Sequence, residues 1–372
     1  MHFYVTLTLN CNMKCRYCYG KCIDDFGHPF PFEVESAMPT SIAYELKDLA
    51  SFIAKDPDPV IIFYGGEPTL ALDSMGKIMD EIEAKSYMMQ TNGLLLNKID
   101  KKYAKRIGTI LVSLDGDEFL TDHYRGQGTY RNVLENLKEF RNRGFQGEVI
   151  ARMTVNPETE IRQAVNWLLS DKEFRFDSVH WQLDAQFWQS DYSKEHVQRW
   201  FEAYNKGVRD LVRDWISKMG ATGEVPRVYP LVGIMESMLT GKSVNLRCGA
   251  GWTEFNIQTD GNITPCPVMA GMKNFYLGSI WKTNPLDLAN AISVGHPCPT
   301  CSEFQLCGGR CLYANVTKLW GEEGFDLVCG TVKNLISSLG SARPEVLSMI
   351  SRGRIQARDF EYSMFNSCEI IP

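Results

Sequence analysis

Residues 10–19 read Asn-Cys-Asn-Met-Lys-Cys-Arg-Tyr-Cys-Tyr, and an apolar, strand-like run from Phe3 to Leu9 leads into them. Three residues separate Cys11 from Cys15 and two separate Cys15 from Cys18. One compact loop therefore supplies three thiolates. A cubane iron–sulfur cluster has four corners and normally takes four cysteines, so three ligands leave one iron open to another molecule. A zinc knuckle is the competing reading. Zinc sites usually pair CxxC units with a fourth ligand, which this loop lacks.

Outward from the loop, the 372 residues are enough for one large α/β domain and a smaller one. Apolar and charged contents of 44% and 23% are those of an ordinary globular protein. The net charge is −6 with no Lys/Arg-rich run, which argues against nucleic acid as the main partner. No apolar stretch is long enough for a bilayer, and the start, Met-His-Phe-Tyr-Val, lacks the regions of a signal peptide. The expectation is a cytoplasmic protein without membrane contact. Twelve cysteines in such a chain point to metal rather than disulfides. They gather at residues 11–22 and 248–329, with Cys368 alone near the end.

Between the clusters, strand and helix patterns alternate six times. A Pro- and Phe-containing connection over 23–39 precedes a helix over 41–55, capped at Ser41. The strand Val60–Tyr64 and helices near 72–85, 98–106, 131–143 and 160–170 follow, interleaved with strands 86–90, 109–113, 149–155 and 178–183. This is the pattern of a parallel sheet with right-handed crossovers. A doubly wound sheet and a partial barrel both satisfy it. Helices over 193–219 and 229–240 come next. Trp181, Phe187, Trp188, Trp200 and Trp215 are read as packing groups rather than a substrate cleft.

The CxxxCxxC loop directly after the first strand, with Tyr17 just before its last cysteine, resembles the radical S-adenosylmethionine (SAM) superfamily. The resemblance selects a partial (β/α)6 TIM-like barrel with its chemistry at the C-terminal ends of the strands. It implies that the open iron chelates SAM, that reduction cleaves SAM, and that the resulting 5′-deoxyadenosyl radical takes a hydrogen from substrate. Gly65-Gly66-Glu67-Pro68 then resembles the family's GGEP motif. There the glycines admit a close backbone approach and Glu67 is placed to accept from the SAM ammonium. Asn92 after the third strand, Ser113 after the fourth, and Arg125 beyond it are the further SAM contacts that the resemblance implies, with Tyr17 beside the adenine.

From Cys248 the spacing is twelve residues, Gly261, four residues, Cys266; later come Cys298-x2-Cys301-x5-Cys307-x3-Cys311 and seventeen residues to Cys329. This resembles the seven-cysteine SPASM extension of peptide-modifying radical SAM enzymes, with a hairpin predicted around Asp260-Gly261. By that pattern Cys298, Cys301, Cys307 and Cys329 hold an outer auxiliary cluster, and Cys248, Cys266 and Cys311 an inner one that is one protein ligand short. Cys22 and Cys368 are possible borrowed ligands, each more simply read as an uninvolved thiol. Where sulfatase-maturing relatives carry an aspartate base, this chain has Pro267. Nor does it leave room before Phe3 for the leader-recognition domain of several relatives.

The resulting expectation is a barrel over 1–190, a helical bridge over 191–245, a SPASM domain over 246–335 and a helical tail over 336–372. The arginines of that tail, Arg343, Arg352, Arg354 and Arg358, are read as a solvated face. Three 4Fe–4S clusters and SAM would act on a peptide or protein, modifying or crosslinking a residue, with thioether formation one outcome. The implied partners are an electron donor such as ferredoxin or flavodoxin and, unless the chain binds its substrate directly, a separate recognition protein. The same chemistry on a cofactor precursor or sugar, an electron-transfer protein, and a zinc-stabilised interaction protein are the rivals.

Overall fold

A computed structural model describes residues 1–18, 32–35, 37–184, 193–318 and 321–362. Cys22, Phe187, Trp188 and Cys368 lie outside the described residues. The chain divides into two compact units. The first holds Met1–Leu114, Glu118–Ile150 and Gly249–Ser293; the second holds Asp115–Asp117, Ala151–Cys248 and Val294–Pro372.

In the first unit, β1 (His2–Thr8), β2 (Val60–Gly65), β3 (Ser86–Thr91) and β4 (Ile107–Ser113) lie side by side and parallel. Their register sets Phe3 against Ile61 and Ile62 against Met88. Phe3, Ile61, Ile62 and Phe63 have no exposure, as continuous apolar strands buried on both faces require. The crossovers are α1 (Leu46–Ile53), α2 (Leu72–Glu81) and α3 (Lys101–Ala104). Beyond β4 come α4 (Glu118–Arg125) and α5 (Thr129–Asn142). On the other edge of β1, the later strand β7 (Glu254–Ile257) adds in parallel and begins the predicted hairpin. It turns back through Asp260-Gly261 into β8 (Asn262–Thr264), with β9 (Gly278–Ser279) outermost.

Two local expectations change. Ser41 caps no helix: it pairs with Thr8 in an isolated antiparallel bridge, with Leu9 N–H donating to Thr40 O at 2.8 Å and Ala43 N–H to Thr259 O at 2.8 Å. Backbone pairing thus holds this segment, and α1 starts only at Leu46. The helix α4 was not expected, because its eight residues are too few for a clear period; Leu120 and Tyr124, one turn apart, are its buried side.

The second unit contains the end of β5 (Glu148–Val155), then α6 (Ile161–Leu169) and β6 (Ser178–Leu183). Asp184 N–H donates to Val155 O at 3.0 Å, so β6 leaves beside β5. The long α7 (Lys194–Thr222) and α8 (Tyr229–Thr240) follow, then α9 (Phe304–Cys307), α10 (Leu312–Thr317) and α11 (Gly321–Ser351). Trp181, Trp200 and Trp215 are buried, as their reading as packing groups requires, and Trp181 Nε1–H donates to the Tyr204 hydroxyl at 2.8 Å. The tail arginines Arg343, Arg352, Arg354 and Arg358 are all exposed, as a solvated face requires, and two of them also reach backbone carbonyls. Arg343 donates to Met238 O at 3.2 Å and Arg354 to Gly220 O at 3.0 Å, because the open C-terminal carbonyls of α8 and α7 are ready acceptors.

Candidate active site

The cysteine loop leaves β1 and is held from two sides within the first unit. On one side stand the glycines. Gly66 N–H donates to Thr8 O at 2.8 Å and Glu67 N–H to Asn10 O at 2.9 Å. A Cβ on Gly65 would lie 2.2 Å from Thr8 O, and one on Gly66 2.4 Å from Asn10 O. The close approach these glycines allow is thus to the backbone of the cysteine loop itself.

Glu67 is 1% exposed. Its Oε1 accepts from Thr69 N–H at 3.0 Å, the Thr69 hydroxyl at 2.6 Å and the Thr91 hydroxyl at 2.7 Å; its Oε2 accepts from Asn92 N–H at 2.7 Å. Four donors of the chain meet this carboxylate, which sequence reasoning assigned to the SAM ammonium, and they join the end of β2 to the end of β3. Burial pushes the Glu67 carboxyl up, and the donors from Asn92, Thr69 and Thr91 pull it back. Glu67→Gln should therefore cost roughly 1–3 kcal/mol, since it sets a buried amide N–H against these donors. A urea titration reads this, and an unchanged midpoint would contradict it.

Asn92 continues the chain of contacts. Its Nδ2 donates to Asn12 Oδ1 at 2.8 Å and lies 4.0 Å from Cys11 Sγ. On the other side of the loop, Arg16 N–H donates to Tyr124 O at 2.9 Å, and the Arg16 guanidinium meets His123 Nε2 at 3.1 Å. The Tyr17 ring packs on Tyr124 with centroids 5.4 Å apart, and the Arg125 guanidinium sits 5.3 Å over Tyr17. Tyr17 and Arg125 are thus brought together, Arg125 on the last turn of α4 and 9% exposed. Ser113 ends β4 and is half-buried. Sequence reasoning missed Asn12, Thr91 and Tyr124. Thr91 alone carried a signal, as the neighbour of Asn92 in a strand-ending Thr-Asn-Gly.

In the second unit, Cys298, Cys301, Cys307, Cys311 and Cys329 line one cavity with Phe325, Val328 and Val332. Cys298 opens a 3-10 turn, Cys307 closes α9, Cys311 precedes α10, and Cys329 projects from α11. Gly308 and Gly309 turn the chain between Cys307 and Cys311 at φ of 69° and 95°. Asn315 Nδ2 donates to Cys298 Sγ at 3.4 Å. Burial pushes the Cys298, Cys307 and Cys329 thiols up, and neighbouring thiols add to this for each. Bare thiolates are disfavoured there, and a cationic metal core is what would stabilise them. Among the described residues no three His, Cys, Asp or Glu side chains are set to hold a single metal ion; the thiols wall a space instead. Cys248 also belongs to this unit, after Arg247, whose guanidinium donates to Leu306 O and Ser237 Oγ, both at 2.8 Å. Cys266 belongs to the first unit, just before the 3-10 turn Pro267–Met269.

Residues 5–168 match the Radical SAM superfamily. The chain carries a radical SAM domain. That domain implies a 4Fe–4S cluster and SAM, and the chain is a radical SAM enzyme. It is similar to the cysteine-type anaerobic sulfatase-maturating enzyme of Clostridium novyi, 22% identical over 334 residues, spanning 81% of this chain and 85% of that protein. It is also similar to the Fe-coproporphyrin III synthase of Methanosarcina barkeri, 32% identical over 158 residues, but only 41% of this chain and 36% of that one. Among solved structures, native anSMEcpe with bound AdoMet and Cp18Cys peptide aligns at a TM-score of 0.69 and 20% identity, over 94% of this chain and 99% of that one. Streptococcus suis SuiB bound to precursor peptide SuiA aligns at 0.52 and 17%, over 85% and 72%. These likenesses establish a mixed α/β fold with a parallel sheet, with which a SPASM reading of the C-terminal cysteine-rich region is consistent. Among the described residues no helix is long and apolar enough to cross a membrane.

Proposed function

We propose that this radical SAM enzyme modifies a peptide or protein side chain or Cα, using SAM at Cys11, Cys15 and Cys18 and two auxiliary 4Fe–4S clusters. The cavity walled by Cys298, Cys301, Cys307, Cys311 and Cys329 carries the reading, because four of these five thiols are the outer set of the SPASM spacing. Similarity to the sulfatase-maturating enzyme spans 81% of this chain, whereas similarity to the coproporphyrin synthase covers less than half of it. By the SPASM spacing alone Cys248, Cys266 and Cys311 are the inner set, one protein ligand short, which would leave an iron for a substrate sulfur and favour a thioether product. Pro267 stands where sulfatase maturation uses its base, so that particular oxidation is not the one proposed.

When bound, the first cluster supplies the electron for reductive cleavage of SAM. The chain's part is to orient and to exclude water. Tyr17, Gly65, Gly66, Ser113 and Arg125 would face SAM, with Glu67 and Asn92 locking the loop behind it. A small one-electron carrier such as ferredoxin or flavodoxin would deliver the electron.

Protein purified under nitrogen should hold about twelve iron and twelve sulfide per chain and form 5′-deoxyadenosine from SAM and a reductant. Cys15→Ala should abolish that product. Cysteine-containing peptides should accelerate SAM cleavage in the wild type. Acceleration by a tetrapyrrole precursor and not by any peptide would favour the second reading, a cofactor synthase, which the coproporphyrin synthase similarity motivates.

A further inference from the structure

We infer that Asn92 is a positioning residue for the first cluster, and that its side-chain amide donates to the Cys11 sulfur and raises the cluster's reduction potential. The inference rests on a cluster at Cys11, Cys15 and Cys18 and goes beyond the assignment of Asn92 as a SAM contact.

The backbone N–H and both side-chain polar atoms of Asn92 have partners within the first unit. The backbone N–H donates to Glu67 Oε2 at 2.7 Å. The side-chain Oδ1 accepts from Leu94 N–H at 3.0 Å. That bond decides which end of the amide is oxygen, because the alternative orientation would set two N–H groups face to face. Nδ2 must then point at the cysteine loop, where it donates to Asn12 Oδ1 at 2.8 Å and reaches Cys11 Sγ at 4.0 Å. The residue is 8% exposed, so water competes little for that donor. Met13 N–H approaches the same sulfur at 3.4 Å from within the loop. Asn92 supplies the donor that comes from outside it.

The consequence follows from charge. Reduction adds one negative charge to the cluster, spread over its sulfurs. An N–H pointing at a ligand sulfur stabilises the reduced form more than the oxidised form, and hydrogen bonds to sulfur are one of the protein's means of setting cluster potential. The amide is held by Glu67 and Leu94, elements of the strand ends, and so keeps its direction whatever SAM does.

The test is an EPR-monitored redox titration without SAM, following the signal that Cys15→Ala eliminates. Asn92→Ala removes the donor. Asn92→Asp is nearly isosteric, keeps an acceptor for Leu94 N–H, and replaces the donor with negative charge. Both should move the midpoint negative, Asn92→Asp further. An unchanged midpoint overturns the inference, and if SAM affinity falls tenfold as well, the residue is a SAM contact. Loss of the first cluster from both variants, with circular dichroism unchanged, overturns it too, since Asn92 would then be needed to assemble the loop rather than to tune it. Absence of a cluster from wild-type protein would instead sink the underlying radical SAM site.

Discussion

Gly66→Ala is expected to cost about 2–4 kcal/mol of stability and to strip the first cluster from the purified protein. An added Cβ would stand 2.4 Å from Asn10 O, 2.5 Å from Leu9 O and 2.7 Å from Asn10 C. All three are backbone atoms, so no side chain can swing away to make room. Relief requires the end of β2 and the cysteine loop to separate. Their separation breaks the bonds from Gly66 N–H to Thr8 O and from Glu67 N–H to Asn10 O, which seat the loop. The damage therefore passes directly to the spacing of Cys11, Cys15 and Cys18. Gly330→Ala is the matched control: this helical glycine has nothing within 4 Å of an added Cβ, and alanine there should be neutral or stabilising by up to about 1 kcal/mol. Urea midpoints and iron content read both variants. If Gly66→Ala unfolds like the control and keeps its iron, the glycine is not required for this approach.

The contrast between these glycines shows what could be read from residues alone. The strands at 60–64, 86–90 and 178–183 were visible because buried parallel strands are written as short apolar runs between turn residues. The hairpin at Asp260-Gly261 was visible from its turn chemistry. Helix α4 escaped because one side of it is exposed, Phe119 being 80% exposed, so that eight residues offered no continuous apolar face. Residues of the site were nameable where a motif carried them, as with Gly65, Gly66 and Glu67. Their partners were not. That the Glu67 carboxylate is met by Thr69, Thr91 and Asn92, and that the Asn92 amide reaches back to Asn12, are pairings between residues up to 80 apart in the chain. Local pattern holds no information at that separation. The tail arginines show the same limit: Arg343 and Arg354 are exposed as read, but their acceptors, Met238 O and Gly220 O, are carbonyls more than 100 residues away.

Cys329→Ala should lower iron from about twelve to about eight per chain, the loss of one four-iron cluster, while leaving the fold and basal 5′-deoxyadenosine formation in place. Cys329 is the proposed outer-cluster ligand most distant in sequence from its set, and α11 delivers it. Phe325, Val328 and Val332 bury one side of that helix around the cysteine. The helix is held independently of any metal. Arg209 donates to Asn334 Oδ1 at 2.7 Å, Asn334 donates to Asn205 O at 3.1 Å, and Arg343 reaches Met238 O. Removing one sulfur from a helix so anchored opens the cavity without releasing its wall. Cys307→Ala should behave differently, because Cys307 closes an α9 of only four residues, held by its own N–H to Glu303 O at 2.7 Å and by bonds from Val244, Leu246 and Arg247, whereas α11 runs for 31 residues. There the loss of iron should come with a lower urea midpoint. Iron content, sulfide content and urea titration on the two proteins separate these outcomes. Twelve irons retained by Cys329→Ala would remove Cys329 from the outer set. A collapsed midpoint for Cys329→Ala equal to that of Cys307→Ala would mean that the cluster, and not the contacts of α11, holds this part of the second unit together.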